Sequence, residues 1–392
     1  MARIAYISST FPNFNGCGIG SYAGYLTKAL AQEGHDIHVI TTDIPEILAQ
    51  FGGVKIHKII KNWSIGEVPQ LSKIFNQIRP DILHINHPTS IAGKKSRVLV
   101  NLLPELNKLL WKLPVVTTIH EFKNVSLLGK IKLIPLIWGS DAVTATNDLY
   151  AREIRKFNFD IKRNRVHTVN IGSAFDENLP QSKQVGQRER WGFSQEDKIV
   201  GFTGFITPPK GFHNLIEALA PLIHKDPTIK LFALSSWNLS SPQYKKKITQ
   251  LIENKNISSN VKITGFLDDP TLWAAMDTID LCVFPFDEPV EERSSAALRQ
   301  ALYKGLPTMV TANSIDYSEF GLSHTKNIWL TPLKNTQSLK EDILKVLNDD
   351  KIRGDLSAGA LELRPSLSFA SVAKSMTGVY SLLLNPPSLG PV

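Results

Sequence analysis

Short apolar runs alternate with amphipathic stretches twice along this chain, and this double alternation constrains the fold most. The first runs are rich in Val, Ile and Thr and bounded by turn residues, as buried parallel strands are. They cover residues 3–8, 36–42, 54–60, 81–87, 114–120, 141–147 and 165–172. A second set covers residues 198–205, 229–235, 261–267, 280–286, 307–312 and 327–331. The sequence therefore predicts an α/β fold of two tandem Rossmann-like doubly wound domains, with a ligand cleft between them at the carboxyl ends of the strands.

The domain boundary is expected in the polar, aperiodic stretch at about 174–196, because few contacts cross such segments. Helical patterns lie near 20–32, 213–223, 243–253, 294–304, 338–347 and 369–384. We assign residues 1–178 to an N-terminal domain and 179–365 to a C-terminal domain. Residues 366–392 are assigned to a last helix, crossing back to the N-terminal domain, and a tail.

Composition excludes several classes of protein. Of the 392 residues, 42% are hydrophobic and 20% charged, so a large core is expected rather than disorder. The two cysteines, Cys17 and Cys282, are far apart, which excludes a disulfide framework and favours a reducing, cytoplasmic setting. No apolar run reaches about 18 residues, so no membrane-spanning helix is expected.

Positive charge is concentrated in the first half. Lys and Arg outnumber Asp and Glu by 21 to 14 in residues 1–180 and by 23 to 22 in the remainder. This bias fits an anionic partner of the N-terminal domain, or simply a solvated basic surface. Basic residues are not interleaved with aromatics as in a recognisable nucleic-acid module, so nucleic-acid binding is not expected.

Two glycine-rich turns each lie between a predicted strand and a helix. The first contains Gly18 and Gly20, and the second contains Gly204, Lys210 and Gly211. Free N–H groups and the positive end of a helix suit a phosphate, and Lys210 can meet it as a point charge. A tight turn and a surface lysine are the simpler interpretations. The first turn is not a dinucleotide fingerprint.

A third motif joins an acidic loop to a helix. The loop contains Glu291 and Glu292, and Ser294-Ser295 can cap the helix that ends at Gly305. The hydroxyls and free N–H groups can bind an anion, while the acids can accept hydrogen bonds from sugar hydroxyls. A well-capped helix after a solvated loop is the alternative.

Four stretches in this order resemble the retaining, family 4 glycosyltransferases of the GT-B fold: NGCGIGSYAGYLTKALAQEGHDIHVIT, GF..PPKGFHNLIEALAPL, ITGFLDDPTLWAAMDTIDLCVFPF and ALYKGLPTMVT. The resemblance covers nearly the whole chain. It implies transfer of a sugar from a nucleoside-diphosphate sugar to a hydroxyl, with front-face attack assisted by the departing phosphate. It implies no cofactor and no metal. Polysaccharide or glycolipid biosynthesis is the expected setting.

The resemblance assigns residues to roles. His120, Glu292 and Lys210 are assigned to catalysis. The expected donor-binding residues are Gly18, Gly20, Gly204, Lys210, Gly265, Phe266, Leu267, Glu292, Arg293, Ser294, Ser295 and Gln300. The resemblance further implies that residues 265–267 face the base, that Gln300 faces the ribose, and that Glu292 and His120 face the donor sugar.

The chain departs from the family at two positions. Anchored on Gly305, the second Glu of the Glu-x7-Glu pattern is Gln300, which cannot form a charge-assisted bond. Phe205 stands where the family tends to have Arg, and Arg293 is the expected substitute. Ser294-Ser295 resembles a bacterial subset of the family, which favours a subgroup feature over decay.

Three histidines are the candidates for metal binding. His84, His87 and His120 end neighbouring predicted strands, and Glu121 follows. A zinc site needs three or four converging ligands, and structural hydrogen bonding is the commoner role of such histidines. There is also no Asp-x-Asp triad, which disfavours the metal-dependent GT-A plan.

The acceptor is expected on the basic N-terminal domain. Residues 98–113 and 126–138 mix Leu, Ile, Lys and Trp, as interfacial elements do, and they fit core-facing helices interrupted by Pro104 and Pro135 equally well. The first interpretation implies peripheral membrane contact and a lipid-linked or saccharide acceptor. A degenerate GT-B subunit that partners another transferase is the main alternative. An epimerase or phosphorylase of the same fold is a further one.

Overall fold

A computed structural model gives the architecture. It describes residues 1–11, 18–45, 47, 50–87, 98–122, 125–157, 165–175, 179, 186–237, 240–288, 295–313 and 321–385. The chain forms two compact units. Unit 1 consists of Met1–Gly172 together with Phe369–Val392, and unit 2 consists of Ser173–Ser368.

Unit 1 is built on a parallel sheet. Its described strands are β1 (Arg3–Ser8), β2 (Asp36–Thr42), β3 (Lys55–Ile60), β4 (Ile82–His87), β5 (Val115–Ile119), β6 (Ala142–Ala145) and β7 (Val166–Thr168). They lie in the order β3-β2-β1-β4-β5-β6-β7. The connection therefore changes direction between β1 and β4, which opens a crevice at their carboxyl ends.

Helices cover both faces of this sheet. They are α1 (Gly18–Gln32), α2 (Val68–Ile78), α3 (Val98–Leu110), α4 (Leu127–Lys132), α5 (Ile134–Gly139) and α6 (Asp148–Phe157). Side chains of β1 alternate between the two layers: Ile4 and Tyr6 pack with α1, while Ala5 and Ile7 pack with the opposite cluster. Burial on both faces explains why the strand reads as a continuous apolar run.

Unit 2 repeats this plan. Its described strands are β8 (Lys198–Phe205), β9 (Ile229–Ser236), β10 (Val261–Ile263), β11 (Leu281–Phe284), β12 (Thr308–Ala312) and β13 (Trp329–Pro332). The parallel order is β10-β9-β8-β11-β12-β13, so the switch point lies between β8 and β11.

The helices of unit 2 are α7 (Gln187–Arg190), α8 (Phe212–Lys225), α9 (Pro242–Asn254), α10 (Asp269–Ala275), α11 (Ala296–Lys304), α12 (Thr336–Leu347) and α13 (Asp350–Leu367). The predicted α/β class with two Rossmann-like domains is confirmed. The long helix α13 was not predicted, and its Gly359 lies against the backbone of Lys326, where a Cβ would approach the carbonyl oxygen to 2.1 Å.

The last helix, α14 (Phe369–Leu384), belongs to unit 1 and packs on α1. The chain passes from unit 1 to unit 2 between Gly172 and Ser173 and returns to unit 1 between Ser368 and Phe369. The sequence analysis placed these boundaries at 178/179 and 365/366. Ser173 belongs with unit 2 because its N–H donates to the Leu367 carbonyl at 2.7 Å.

Pro104 does not interrupt its helix, contrary to the sequence-based expectation. It lies buried inside α3, which continues to Leu110. Pro135 instead falls in the first turn of α5, where a missing N–H costs nothing.

Candidate functional site

Two loops at the switch point of unit 2 are tied together. Lys210 ends a 3₁₀ turn, Pro208–Lys210, that follows β8. The carbonyl of Pro209 accepts the N–H of Asp287, from the loop after β11, at 3.2 Å. The Asp287 carboxylate in turn accepts from the Asn214 side chain at 2.6 Å. These bonds hold the Lys210 loop at the crevice where sheets of this kind bind ligands.

Gly211 lets the two loops approach closely. Its φ is 68°, and a Cβ there would lie 1.6 Å from the carbonyl oxygen of Pro285. The neighbouring Lys210 is partly exposed, with its ammonium 4.9 Å from the centroid of the Phe286 ring. The close approach of the two backbones therefore fixes the position from which the Lys210 side chain extends.

The first turn of α11 lies against the end of β8. Ser295 is buried and caps α11, its hydroxyl accepting the N–H of Leu298 at 3.3 Å. At Gly204, which has φ 104°, a Cβ would lie 3.3 Å from Cβ of Ala297. The positive end of the helix and the Lys210 loop thus flank one strand end, an arrangement suited to an anion.

The residues expected to face the base follow β10 on the same edge of the sheet. Gly265 has φ 83°, Leu267 packs against the core, and the ring of Phe266 is 49% exposed. An exposed ring in such a position is free to stack on a planar ligand. Gln300 is partly exposed on α11.

Glu292, Arg293 and Ser294 lie outside the residues that the structure describes. Their assignments from the sequence stay predictions. In the chain they directly precede Ser295.

In unit 1, the start of α1 approaches the end of β5. Gly20 lets the same helix start lie close to the segment after β1, because a Cβ there would lie 3.1 Å from the carbonyl oxygen of Phe11. Gly18 carries no such constraint, since its Cβ would meet nothing within 4 Å. The ring of Tyr22 packs edge-on against His120, with centroids 4.6 Å apart.

His120 directly follows β5 and is held by a polar chain. Its Nε2 lies 2.6 Å from Oδ1 of Asn86, and the Asn86 amide donates to the Ser8 hydroxyl at 3.1 Å. These residues sit on β1, β4 and just after β5, which are neighbours in the sheet. Burial, and to a lesser degree the nearby His87, lowers the pKa of His120 to about 3, so the imidazole is neutral at physiological pH.

His84 is fully buried and internally bonded. Its Nδ1 lies 2.6 Å from the Tyr380 hydroxyl of α14, and its Nε2 lies 2.8 Å from the Thr118 hydroxyl. Burial, with a smaller contribution from His120, lowers its pKa to about 3. His84 therefore links α14 to the sheet, and each of its ring nitrogens has a hydrogen-bond partner within the protein.

His87 bonds Asn101 of α3 at 3.2 Å through Nε2. Across the part of the chain that the structure describes, no group of three or more His, Cys, Asp or Glu side chains is arranged to hold a metal ion. Among the described helices, none is both long and apolar enough to cross a membrane.

Sequence reasoning missed several residues at these two edges. Asn86 and Ser8 hold His120, Asp287 ties the Lys210 loop, and Arg299 lies buried on α11 with Nη1 3.5 Å from the Ser295 carbonyl. A polar residue at the end of an otherwise apolar strand is the signal that could have found Asn86.

Two family models match the chain. Residues 16–172 match the Glycosyltransferase Family 4 model, and residues 185–362 match the model of glycosyl transferases group 1. In succession they span most of both units.

Known proteins agree with these matches. The chain is 21% identical to an uncharacterised glycosyltransferase of Methanocaldococcus jannaschii, over 97% of this chain and 98% of that protein. It is 22% identical to N-acetyl-alpha-D-glucosaminyl L-malate synthase of Bacillus anthracis, over 90% of each. The structure of Anabaena HepE in complex with UDP-glucose superposes with a TM-score of 0.74 at 16% identity, covering 98% of this chain and 100% of HepE.

The fold of HepE matches, and the relative from Methanocaldococcus jannaschii is a glycosyltransferase by name. With a family 4 match over residues 16–172 and a group 1 match over residues 185–362, the chain belongs to the GT-B glycosyltransferases.

Proposed function

We propose that the protein transfers a sugar from a nucleoside-diphosphate sugar to a hydroxyl acceptor, with retention of the anomeric configuration and without a metal ion. The observation that carries this proposal is the positive strand end of unit 2, where Lys210 and the first turn of α11 flank β8. Negative charge grows on the diphosphate as it leaves, and fixed positive groups stabilise that charge. Retention is implied by the family 4 resemblance.

The remaining assignments are those that the family resemblance implies. Phe266 stacks on the base beside Gly265 and Leu267, and Gln300 bonds the ribose hydroxyls through its amide. Glu292 holds hydroxyls of the donor sugar, while Arg293, Ser294 and Ser295 complete the diphosphate site. On unit 1, His120 binds a sugar hydroxyl through its neutral imidazole, and the turn at Gly18 and Gly20 supplies backbone N–H groups.

A UDP-sugar is the donor to test first, because HepE has been solved with UDP-glucose. The experiment compares Lys210→Ala with Lys198→Ala, which removes a lysine from the opposite end of β8, where it pairs with Asp226 at 3.0 Å. Donor binding is measured by titration calorimetry, and transfer or slow donor hydrolysis by release of free nucleotide.

Lys210→Ala should lower turnover by about 10²–10³-fold, as loss of a charge stabiliser does, while Lys198→Ala keeps it. Equal turnover of both variants would remove Lys210 from the site. Absence of binding and turnover with every nucleotide sugar would instead favour the inactive partner-subunit alternative. The anomeric configuration of the first product, read by NMR, decides retention.

We further propose a lipid-linked acceptor in polysaccharide or glycolipid synthesis, met by unit 1 at the cytoplasmic face of an anionic bilayer. No residue of α4 is buried, and Leu127 and Leu128 are 69% and 72% exposed. Lys130 and Lys132 share this helix. Exposed leucines beside lysines have the chemistry of an interfacial element.

Vesicle co-sedimentation tests this contact. Binding should require phosphatidylglycerol and fall with Leu128→Asp, because a charge replaces the inserting side chain. Leu382→Asp is the matched control, since Leu382 is 50% exposed on α14 and lies outside both candidate segments. Equal binding of both variants, or binding to neutral vesicles alone, would refute α4 as the contact.

A further inference from the structure

The polar chain beneath His120 has a defined direction. It begins at the backbone carbonyl of Thr10, which can only accept, so the Ser8 hydroxyl must donate to it across 2.5 Å. The lone pairs of that hydroxyl then accept from the Asn86 amide at 3.1 Å. The amide of Asn86 is thereby oriented with its NH₂ toward Ser8 and its carbonyl oxygen toward His120.

The reverse orientation of the amide is disfavoured by the same bonds. It would place Oδ1 of Asn86 against the lone pairs of Ser8 Oγ while the Ser8 proton is engaged by Thr10. Asn86 and Ser8 are both only 1% exposed, so water does not reach them to satisfy the atoms that this orientation would leave without a hydrogen bond.

We propose that this relay, which runs from the Thr10 carbonyl through Ser8 and Asn86 to His120, fixes His120 as the Nε2–H tautomer. Asn86 and Ser8 are then positioning residues. The lone pair of Nδ1 is left to accept a hydrogen bond from a saccharide hydroxyl. Nε2 lies 2.6 Å from Oδ1 of Asn86, and an oxygen acceptor requires the proton to sit on Nε2. The saccharide as ligand rests on the proposed function, whereas the tautomer does not.

Two titratable side chains near His120 are themselves neutral at physiological pH. His84 has a pKa of about 3, lowered mainly by burial, and burial raises the pKa of Tyr22 above its usual range. The nearby His87 adds to the effect of burial in lowering the pKa of His120. The neutral imidazole thus recognises a hydroxyl by accepting a directed hydrogen bond, and it has no positive charge that would attract an anion.

The tautomer can be read directly. Long-range ¹H–¹⁵N correlation spectra of the full chain labelled with ¹⁵N-histidine distinguish a protonated ring nitrogen from one carrying a lone pair. The His120 signals are assigned by their loss in His120→Gln. We expect Nε2 protonated and Nδ1 free at neutral pH. A protonated Nδ1, or an imidazolium, would overturn the proposal.

Two variants test the relay and one controls for burial. Ser8→Ala removes the group that orients the amide, so signals of the second tautomer should appear. Asn86→Asp puts a carboxylate beside Nε2 and should raise the imidazole pKa by about 1–3 pH units. Thr144→Val removes an equally buried hydroxyl, 2.7 Å from that of Thr118, which is not part of the relay. It should leave the His120 spectrum unchanged.

Activity gives a second readout. Ser8→Ala should lower kcat by about tenfold, as loss of one aligned hydrogen bond does, and Thr144→Val should keep the rate. Unchanged His120 signals in Ser8→Ala, or equal changes in Thr144→Val, would refute the relay. If no nucleotide sugar is turned over, the proposed function fails, while the spectra still decide the tautomer.

Discussion

Replacing His84 by Gln should change how the stability of the protein depends on pH. Burial lowers the pKa of His84 to about 3, whereas a histidine in an unfolded chain titrates near 6.5. Between these values the unfolded chain binds a proton that the folded protein does not. Stability therefore falls as the pH drops below about 6.5, and the full contribution of the neutral imidazole is present above that value.

The size of the effect follows from these two pKa values. At pH 5 the medium is about 1.5 pH units below the unfolded pKa, which lowers the free energy of unfolding by about 2 kcal/mol. His84→Gln has no titrating ring, although it costs stability at neutral pH by leaving the Tyr380 hydroxyl without its partner at 2.6 Å. The difference in free energy of unfolding between the parent protein and His84→Gln should therefore narrow by about 2 kcal/mol from pH 7.5 to pH 5. His120 titrates in both proteins and cancels.

Hydrogen exchange of β4 peptides at several pH values measures this gap within unit 1, which avoids assuming that both units unfold together. Tyr380→Phe is the matched control, because it breaks the same bond and keeps the imidazole. Its gap to the parent protein should stay nearly constant with pH. A constant gap for His84→Gln as well would refute the argument that burial keeps His84 neutral.

Three further results are expected. Gly211→Ala should cost about 10²-fold in turnover, because its Cβ would collide with Pro285 and displace the Lys210 loop. Gly186→Ala, at φ 78° with nothing within 4 Å, should cost only about 1–2 kcal/mol of stability by thermal denaturation and keep turnover, and similar losses in both would contradict the close-approach argument. Asn214→Leu should weaken donor binding about tenfold by calorimetry, since it removes the hydrogen bond from Asn214 to the Asp287 carboxylate, and unchanged affinity would count against a role of this bond in placing the Lys210 loop. Transfer should survive EDTA, whereas loss of activity restored by Mn²⁺ would overturn the metal-free mechanism.

The two sheets were predictable because their signal is local. Buried parallel strands are apolar on both faces, so β1 and β11 stand out in the sequence without knowledge of their neighbours. Gly211 and Lys210 could likewise be placed after a strand by turn chemistry.

Side-chain partners were not predictable, because they depend on strand order and on distant segments. Tyr380 meets His84 across 296 positions of sequence, and only the packing of α14 on α1 brings them together. Asn86 meets Ser8 because β4 pairs with β1 in this register, which neither strand specifies alone. The sequence pointed to His120, but its contact with Asn86 depends on the pairing of β4 with β5.

The two units treat charge differently, although unit 1 contains most of the excess basic residues. At its strand ends the structure favours neutral groups: the pKa values of His84 and His120 are about 3, and burial raises that of Tyr22. Unit 2 instead offers a cation, Lys210, and the start of α11 at its switch point. A diphosphate gains charge as it leaves and needs fixed positive potential, while a sugar hydroxyl needs only a correctly directed acceptor. The division of chemistry between the two sets of strand ends matches these two demands of the proposed reaction.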